Sequence, residues 1–185
     1  EVLPDLRARL AARLENIATR GFDAGPATTA RLRFLFRDLR NFFDDLARRM
    51  RLETEESLVD YATSQAAQLA RDIRREVGRL ASVTTPGTGA LRQAVLGRPL
   101  NGALLRERWA ARSRSFRRAV EEQIRIGLVE GGTPDEIIRR VRAIWPAQRR
   151  HVANTVGTAV RHAQNQARQA TYEENEDLLR GVMWT

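Results

Sequence analysis

The sequence predicts an all-α protein, an elongated antiparallel helical bundle or a set of hairpins of long helices. Apolar residues recur at alternating steps of three and four through most of the 185 residues, the spacing of one helical face. A hydrophobic share of 42% beside 30% charged residues, with a mean hydropathy of -0.47, fits long amphipathic helices with wetted outer faces. Gly, Pro and Thr concentrate between Ser82 and Gly102, which places a linker or irregular loop at residues 82–102, with one short periodic piece inside it.

Residues 1–81 read as a three-helix region. Leu3, Leu6, Leu10, Leu14 and Ile17 share a stripe, Pro4 suits a first turn, and Gly21 suits a helix end. After the Gly25-Pro26 turn, Leu32, Leu35, Leu39, Phe42, Leu46 and Met50 form a seam that needs a partner helix. Thr54 followed by Glu55 and Glu56 reads as a cap opening a third helix, which Leu58, Ala62, Leu69, Ile73, Val77 and Leu80 carry to about Ala81.

Residues 103–185 read as a second helical domain. Its first helix, about Ala103 to Glu130, turns Leu105, Trp109, Phe116, Val120, Ile124 and Leu128 inward and ends at Gly131-Gly132. Thr133-Pro134-Asp135-Glu136 then combines a hydroxyl N-cap, Pro at N1 and Glu at N3, a strong start for a short helix ending near Ile144. Trp145-Pro146 forces a boundary. The last helix, about Ala147 to Leu179, is lined by Val152, Val156, Ala159, Ala163, Ala167 and Ala170, small enough for a neighbouring helix to approach closely. Glu173, Glu174, Glu176 and Asp177 then fall at a helix C-terminus, where the dipole disfavours acids; contact with the chain's own arginines or with a basic partner would explain them. Val182 to Thr185 reads as the opening of a strand. Trp109, Trp145 and Trp184 sit at apolar positions or boundaries and are expected as core anchors.

The order of residues from Ile124 onward resembles the head morphogenesis family of tailed phages, the minor head proteins of the phage Mu type. The matching positions are Gly127, Gly131, Thr133, Glu136 to Ile138, Arg140 and Arg142, then Thr158, Asn165, Arg168, Tyr172 and Trp184, with a Gly-rich lead from Val95 to Trp109. Gly157 stands where the family carries Arg. The family continues past its Trp, so the chain resembles the N-terminal portion of a longer protein. The resemblance implies a virion component of the head interior or portal vertex, present in the host cytoplasm during assembly. The implied partners are the portal protein, capsid subunits and double-stranded DNA bound without sequence preference; self-association is compatible with this reading. The competing readings are a free arginine-rich helical DNA-binding protein and the helical delivery domain of a larger toxin or enzyme.

The residues themselves point to an anionic partner. The net charge is +9, and all 32 basic residues are Arg, whose planar donor fork pairs with phosphate. The candidates for nucleic-acid contact are Arg108, Arg112, Arg118, Arg139, Arg140, Arg142, Arg149, Arg150, Arg161 and Arg168, because a phosphate backbone needs spaced donors and no base-reading element. The competing role for Asn165 and Arg168 is to bond neighbouring helices. No enzymatic role is expected. There is no Lys for a phosphate-binding loop, no Cys for nucleophilic or thiolate-metal chemistry, and Ser113 and Ser115 stand on a helix without a turn to present them. His151 and His162 share a face about 16 Å apart, too far for one metal ion. No cofactor motif is present, and no apolar run approaches the ~18 residues of a membrane span.

Overall fold

The computed structural model describes Ala8, Ala11 and Ala12, residues 26–78 and residues 82–182. Six helices order the described chain: α1 (Pro26–Val77), α2 (Thr88–Gly97), α3 (Leu105–Val129), α4 (Pro134–Ala143), α5 (Trp145–Glu173) and α6 (Glu176–Val182). Among the described residues there is no strand, and Val182, expected in one, is helical. The remainder of that expected strand, most of the first expected helix and Trp184 lie outside the described residues.

The second and third expected helices are one. Thr54 does not cap a new helix; its hydroxyl donates to the Met50 carbonyl four residues back, 2.5 Å away, inside α1. No Gly or Pro occurs between Ala27 and Val77, and a threonine hydroxyl bonded to the preceding turn is compatible with helix. The expected linker also holds more order than its composition suggests. α2 lies within it and buries Leu91 and Val95, so only its flanks are irregular. At its end, Leu100 and Ala103 exchange backbone hydrogen bonds across a tight turn with Asn101 and Gly102 both at positive φ, the hairpin geometry an Asn-Gly pair favours.

The contacts group the chain into two compact units, Glu1–Arg48 with Ala110–Val152, and Arg49–Trp109 with Ala153–Thr185. The expected division into 1–81, 82–102 and 103–185 follows sequence order, whereas each unit joins two separated stretches.

The first unit is built on a core of Leu35, Leu39, Phe42 and Phe43 from α1, Phe116, Val120 and Ile124 from α3, and Ile137, Ile138 and Val141 from α4. Aromatic rings run through it, Phe42 to Phe43 at 5.4 Å and Phe43 to Phe116 at 4.9 Å in edge contact, then Phe116 to Trp145 at 5.2 Å with the rings tilted. Ser113 is used structurally, its hydroxyl donating to the Phe43 carbonyl at 2.9 Å.

The turn from α3 into α4 is fixed by backbone bonds and a helix cap. Gly131, at φ 72°, donates to the Leu128 carbonyl and Gly132 donates to the Gly127 carbonyl, the paired bonds of a glycine-ended helix. Thr133 then caps α4: its hydroxyl accepts from the Glu136 amide, while the Glu136 carboxylate accepts from the Thr133 amide at 2.7 Å. Gly127 lets α4 approach, since a Cβ there would stand 2.6 Å from Cγ1 of the buried Ile137.

In the second unit α1 buries Ala62, Ala66 and Ala70 between Leu58 and Val59 at one end and Ile73 at the other, and α5 buries a ladder of small residues, Ala159, Ala163, Ala167 and Thr171. Trp109 is buried as expected, and its indole N–H has no hydrogen-bond acceptor among the described residues. The irregular stretch 82–87 is held by side chains: Arg74 donates to the Val83 carbonyl, and the Asn175 amide bonds both the N–H and the carbonyl of Thr84. Asn175 is 3% exposed and also donates to the Thr171 carbonyl. It ends α5 earlier than expected. Glu176 and Asp177 consequently stand in the first turn of α6, where the dipole favours acids, while Glu173 accepts from Gln169.

Candidate nucleic-acid interface

The ten candidate arginines fall in different units. Arg112, Arg118, Arg139, Arg140, Arg142, Arg149 and Arg150 belong to the first, and Arg108, Arg161 and Arg168 to the second. Charge divides unevenly as well. The first unit carries 19 arginines against 12 acids, ten against five of them in Ala110–Val152, whereas the second carries 13 against 11.

Several candidates are occupied. Arg108 donates from Nε and from a terminal nitrogen to the Leu100 carbonyl and reaches the Asn101 carbonyl at 2.7 Å, so its guanidinium holds the turn before α3. Arg140 is tightly paired with Glu130, and Arg139 lies 4.0 Å from Glu136. These four side chains line a shallow surface depression beside Gly132, in which charge is largely compensated. The Thr133 backbone and hydroxyl hold the Glu136 carboxyl below its usual range, with smaller help from Arg139 and Arg140. Arg118, Arg142, Arg149 and Arg150 are exposed and make no ion pair among the described residues, and Arg112 is half-buried. Arg149 and Arg150 stand near the start of α5, whose first turn contains no acid to offset them.

The residues matched by the family resemblance divide into two kinds. Gly127, Gly131, Thr133 and Glu136 are accounted for by the α3–α4 junction, and Ile137 and Ile138 by the core. On α5, Thr158 bonds back to the Asn154 carbonyl, but Asn165, Arg168 and Tyr172 are exposed, opposite the alanine ladder. Asn165 and Arg168 do not bond a neighbouring helix among the described residues, so packing does not explain them. Gly157 faces open space, with nothing within 4 Å of a Cβ placed there.

The other polar contacts of the second unit are structural. His162 Nε2 lies 3.2 Å from the Val95 carbonyl, which can only accept, so the neutral ring carries its proton on that nitrogen. Burial holds the His162 imidazole below its usual range; the bond to Val95 opposes this and Arg98 reinforces it. Arg98 bonds Gln166 and Gln169. Among the described residues no three His, Cys, Asp or Glu side chains gather as a metal site, and no helix is long and apolar enough to cross a membrane.

Beyond the ten candidates, the first unit exposes further arginines: Arg33, Arg37 and Arg40 on α1, with Arg114 and Arg125 on α3. Their spacing, three and four residues apart opposite the Leu35 and Leu39 seam, was the available signal. The fold and this surface together define an all-helical protein with one strongly basic unit. No protein-family model, curated protein or solved structure matches the chain.

Proposed function

We infer that the chain is a non-enzymatic phage minor head protein, associated with the portal vertex and with packaged DNA, that assists head assembly and genome delivery. The identity rests on the ordered residues from Gly127 to Trp184. The DNA contact rests on one observation: the excess of arginine in Ala110–Val152, where Arg118, Arg142, Arg149 and Arg150 are exposed without an acidic partner among the described residues. Such a surface binds duplex through phosphates alone and reads no sequence. The exposed Asn165, Arg168 and Tyr172 of α5 form the docking face for portal or capsid subunits, since polar, cationic and aromatic side chains of this kind anchor protein interfaces.

Fluorescence anisotropy with duplexes of unrelated sequence tests the DNA contact. Log affinity falls linearly with log salt, and Arg142→Glu, Arg149→Glu and Arg150→Glu together lower the slope by about 3. Arg161→Glu and Arg168→Glu leave that slope unchanged and instead weaken retention on portal. Salt-insensitive binding, or an unchanged slope in the triple variant, refutes the DNA assignment. Sequence preference in the same assay favours the free DNA-binding reading.

A further inference from the structure

Phe34 is 54% exposed, on the side of α1 turned away from the Leu35 and Leu39 seam. Leu32, Leu35, Leu39 and Phe42 fill the inner side of α1 and pack in the core of the first unit. Phe34 lies on the opposite side with Arg33, Arg37 and Arg40, residues that helical spacing brings onto one outward face. The core does not need its ring there.

The cations around it face rings. The Arg37 guanidinium sits 4.7 Å from the centre of the Phe34 ring, and Arg125, reaching across from α3, sits 5.1 Å from the centre of the Phe36 ring. Arg125 therefore joins the α1 arginines on the same side of the unit, because Phe36 neighbours Arg33 and Arg40 by one helical turn. None of Arg33, Arg37, Arg40 and Arg125 forms an ion pair among the described residues. Asp38 is half-buried and already has a partner, and the exposed Asp44 closes the basic run one turn beyond Arg40.

We propose that this face binds single-stranded nucleic acid, with Phe34 as the stacking surface for a base and Arg33, Arg37, Arg40 and Arg125 on the flanking phosphates. A duplex keeps its bases stacked inside and asks only for cations. An unpaired strand offers a base face together with each phosphate, and a flat ring standing in water among guanidinium groups matches both. The Arg37 guanidinium adds a planar cation that stacks on the ring and restrains it. This surface was not among the arginines expected for duplex, and the proposal stands independently of the phage reading.

The test is fluorescence anisotropy of the whole chain with a short labelled oligothymidylate and with a duplex of equal length. Phe34→Leu keeps an apolar side chain but removes the aromatic face; it is expected to weaken oligothymidylate binding about tenfold and to leave duplex binding unchanged. Phe34→Tyr retains binding of the single strand. Because Phe34 is exposed, both variants should melt with the wild type, and a helical circular dichroism spectrum verifies this. The proposal fails if wild-type protein does not bind oligothymidylate at low salt, if Phe34→Leu binds it normally, or if Phe34→Tyr loses as much as Phe34→Leu. Failure of wild type to bind duplex refutes the separate DNA assignment and leaves this one standing.

Discussion

Replacing Asn175 by alanine removes three hydrogen bonds at once, those to the Thr84 N–H at 2.8 Å, the Thr84 carbonyl at 2.8 Å and the Thr171 carbonyl at 2.7 Å. Each is worth about 1 kcal/mol net, and the site is 3% exposed, so water recovers only part of the loss on the exposed Thr84 side. The expected destabilisation is about 3 kcal/mol, a fall in melting temperature of roughly 6–12 °C for a chain of this size. Urea denaturation followed by circular dichroism measures it. Amide exchange at Thr84 gives the local readout, protected in the wild type and fast in the variant. Asn175→Asp is the sharper test. Its carboxylate still accepts from the Thr84 N–H, but its second oxygen meets two carbonyls, so at neutral pH it destabilises at least as much as alanine. That repulsion raises the carboxyl's folded pKa above its unfolded value, so the Asp variant is most stable at low pH and loses stability as pH rises through the folded value. Wild-type stability in Asn175→Asp would refute the assignment of the amide as a two-way clamp.

The two glycines of opposite environment give opposite outcomes. Gly127→Ala forces Ile137 to shift and lowers stability by about 1–2 kcal/mol after the gain in helix propensity, whereas Gly157→Ala, in open space, raises it by about 0.5–1 kcal/mol, both read by thermal melting. The Glu136 carboxyl, depressed by the Thr133 cap, contributes stability that is present above pH 4.5 and lost as pH falls through its folded value; Thr133→Val returns its titration toward the ordinary range, observable by carboxyl NMR. The His162 imidazole is also depressed, so its contribution is complete above pH 6.5 and disappears as pH falls through its folded value, a loss that His162→Gln should abolish in pH-dependent melts.

What was legible in the sequence followed local chemistry. The Gly131-Gly132 end of α3, the Thr133 to Glu136 capping box and the Trp145-Pro146 boundary could be read because each is determined by residues within one or two turns. Thr54 misled for the converse reason: its hydroxyl can cap a helix or bond the preceding turn, and the choice belongs to a chain that has no breaker nearby. Asn175 gave no readable signal, because its partners at Thr84 lie 91 residues away. The same holds for the arginines. Arg108 and Arg112 look alike in sequence, yet Arg108 is committed to two backbone carbonyls, a commitment fixed by how the turn at Leu100 folds back on α3. Phe34 falls off the three-and-four spacing of the Leu32 to Met50 seam, so its outward side was legible, while the cation over its ring was not.

The interleaving of the two units has a consequence for biogenesis. A polypeptide leaving the ribosome has made Arg49–Trp109 before either unit is complete, since the first closes only with Val152 and the second only with residues after Ala153. Most of the Phe42 and Phe43 surface must therefore wait for α3 and α4, and Ala70 and Ile73 of α1, with Val83, must wait for Leu178. Long-range closure of this kind is slow and leaves apolar surface open to aggregation. A nascent chain arrested after Trp109 is expected to be held by a chaperone, while one arrested after Val152 already carries a finished core and a surface rich in arginine.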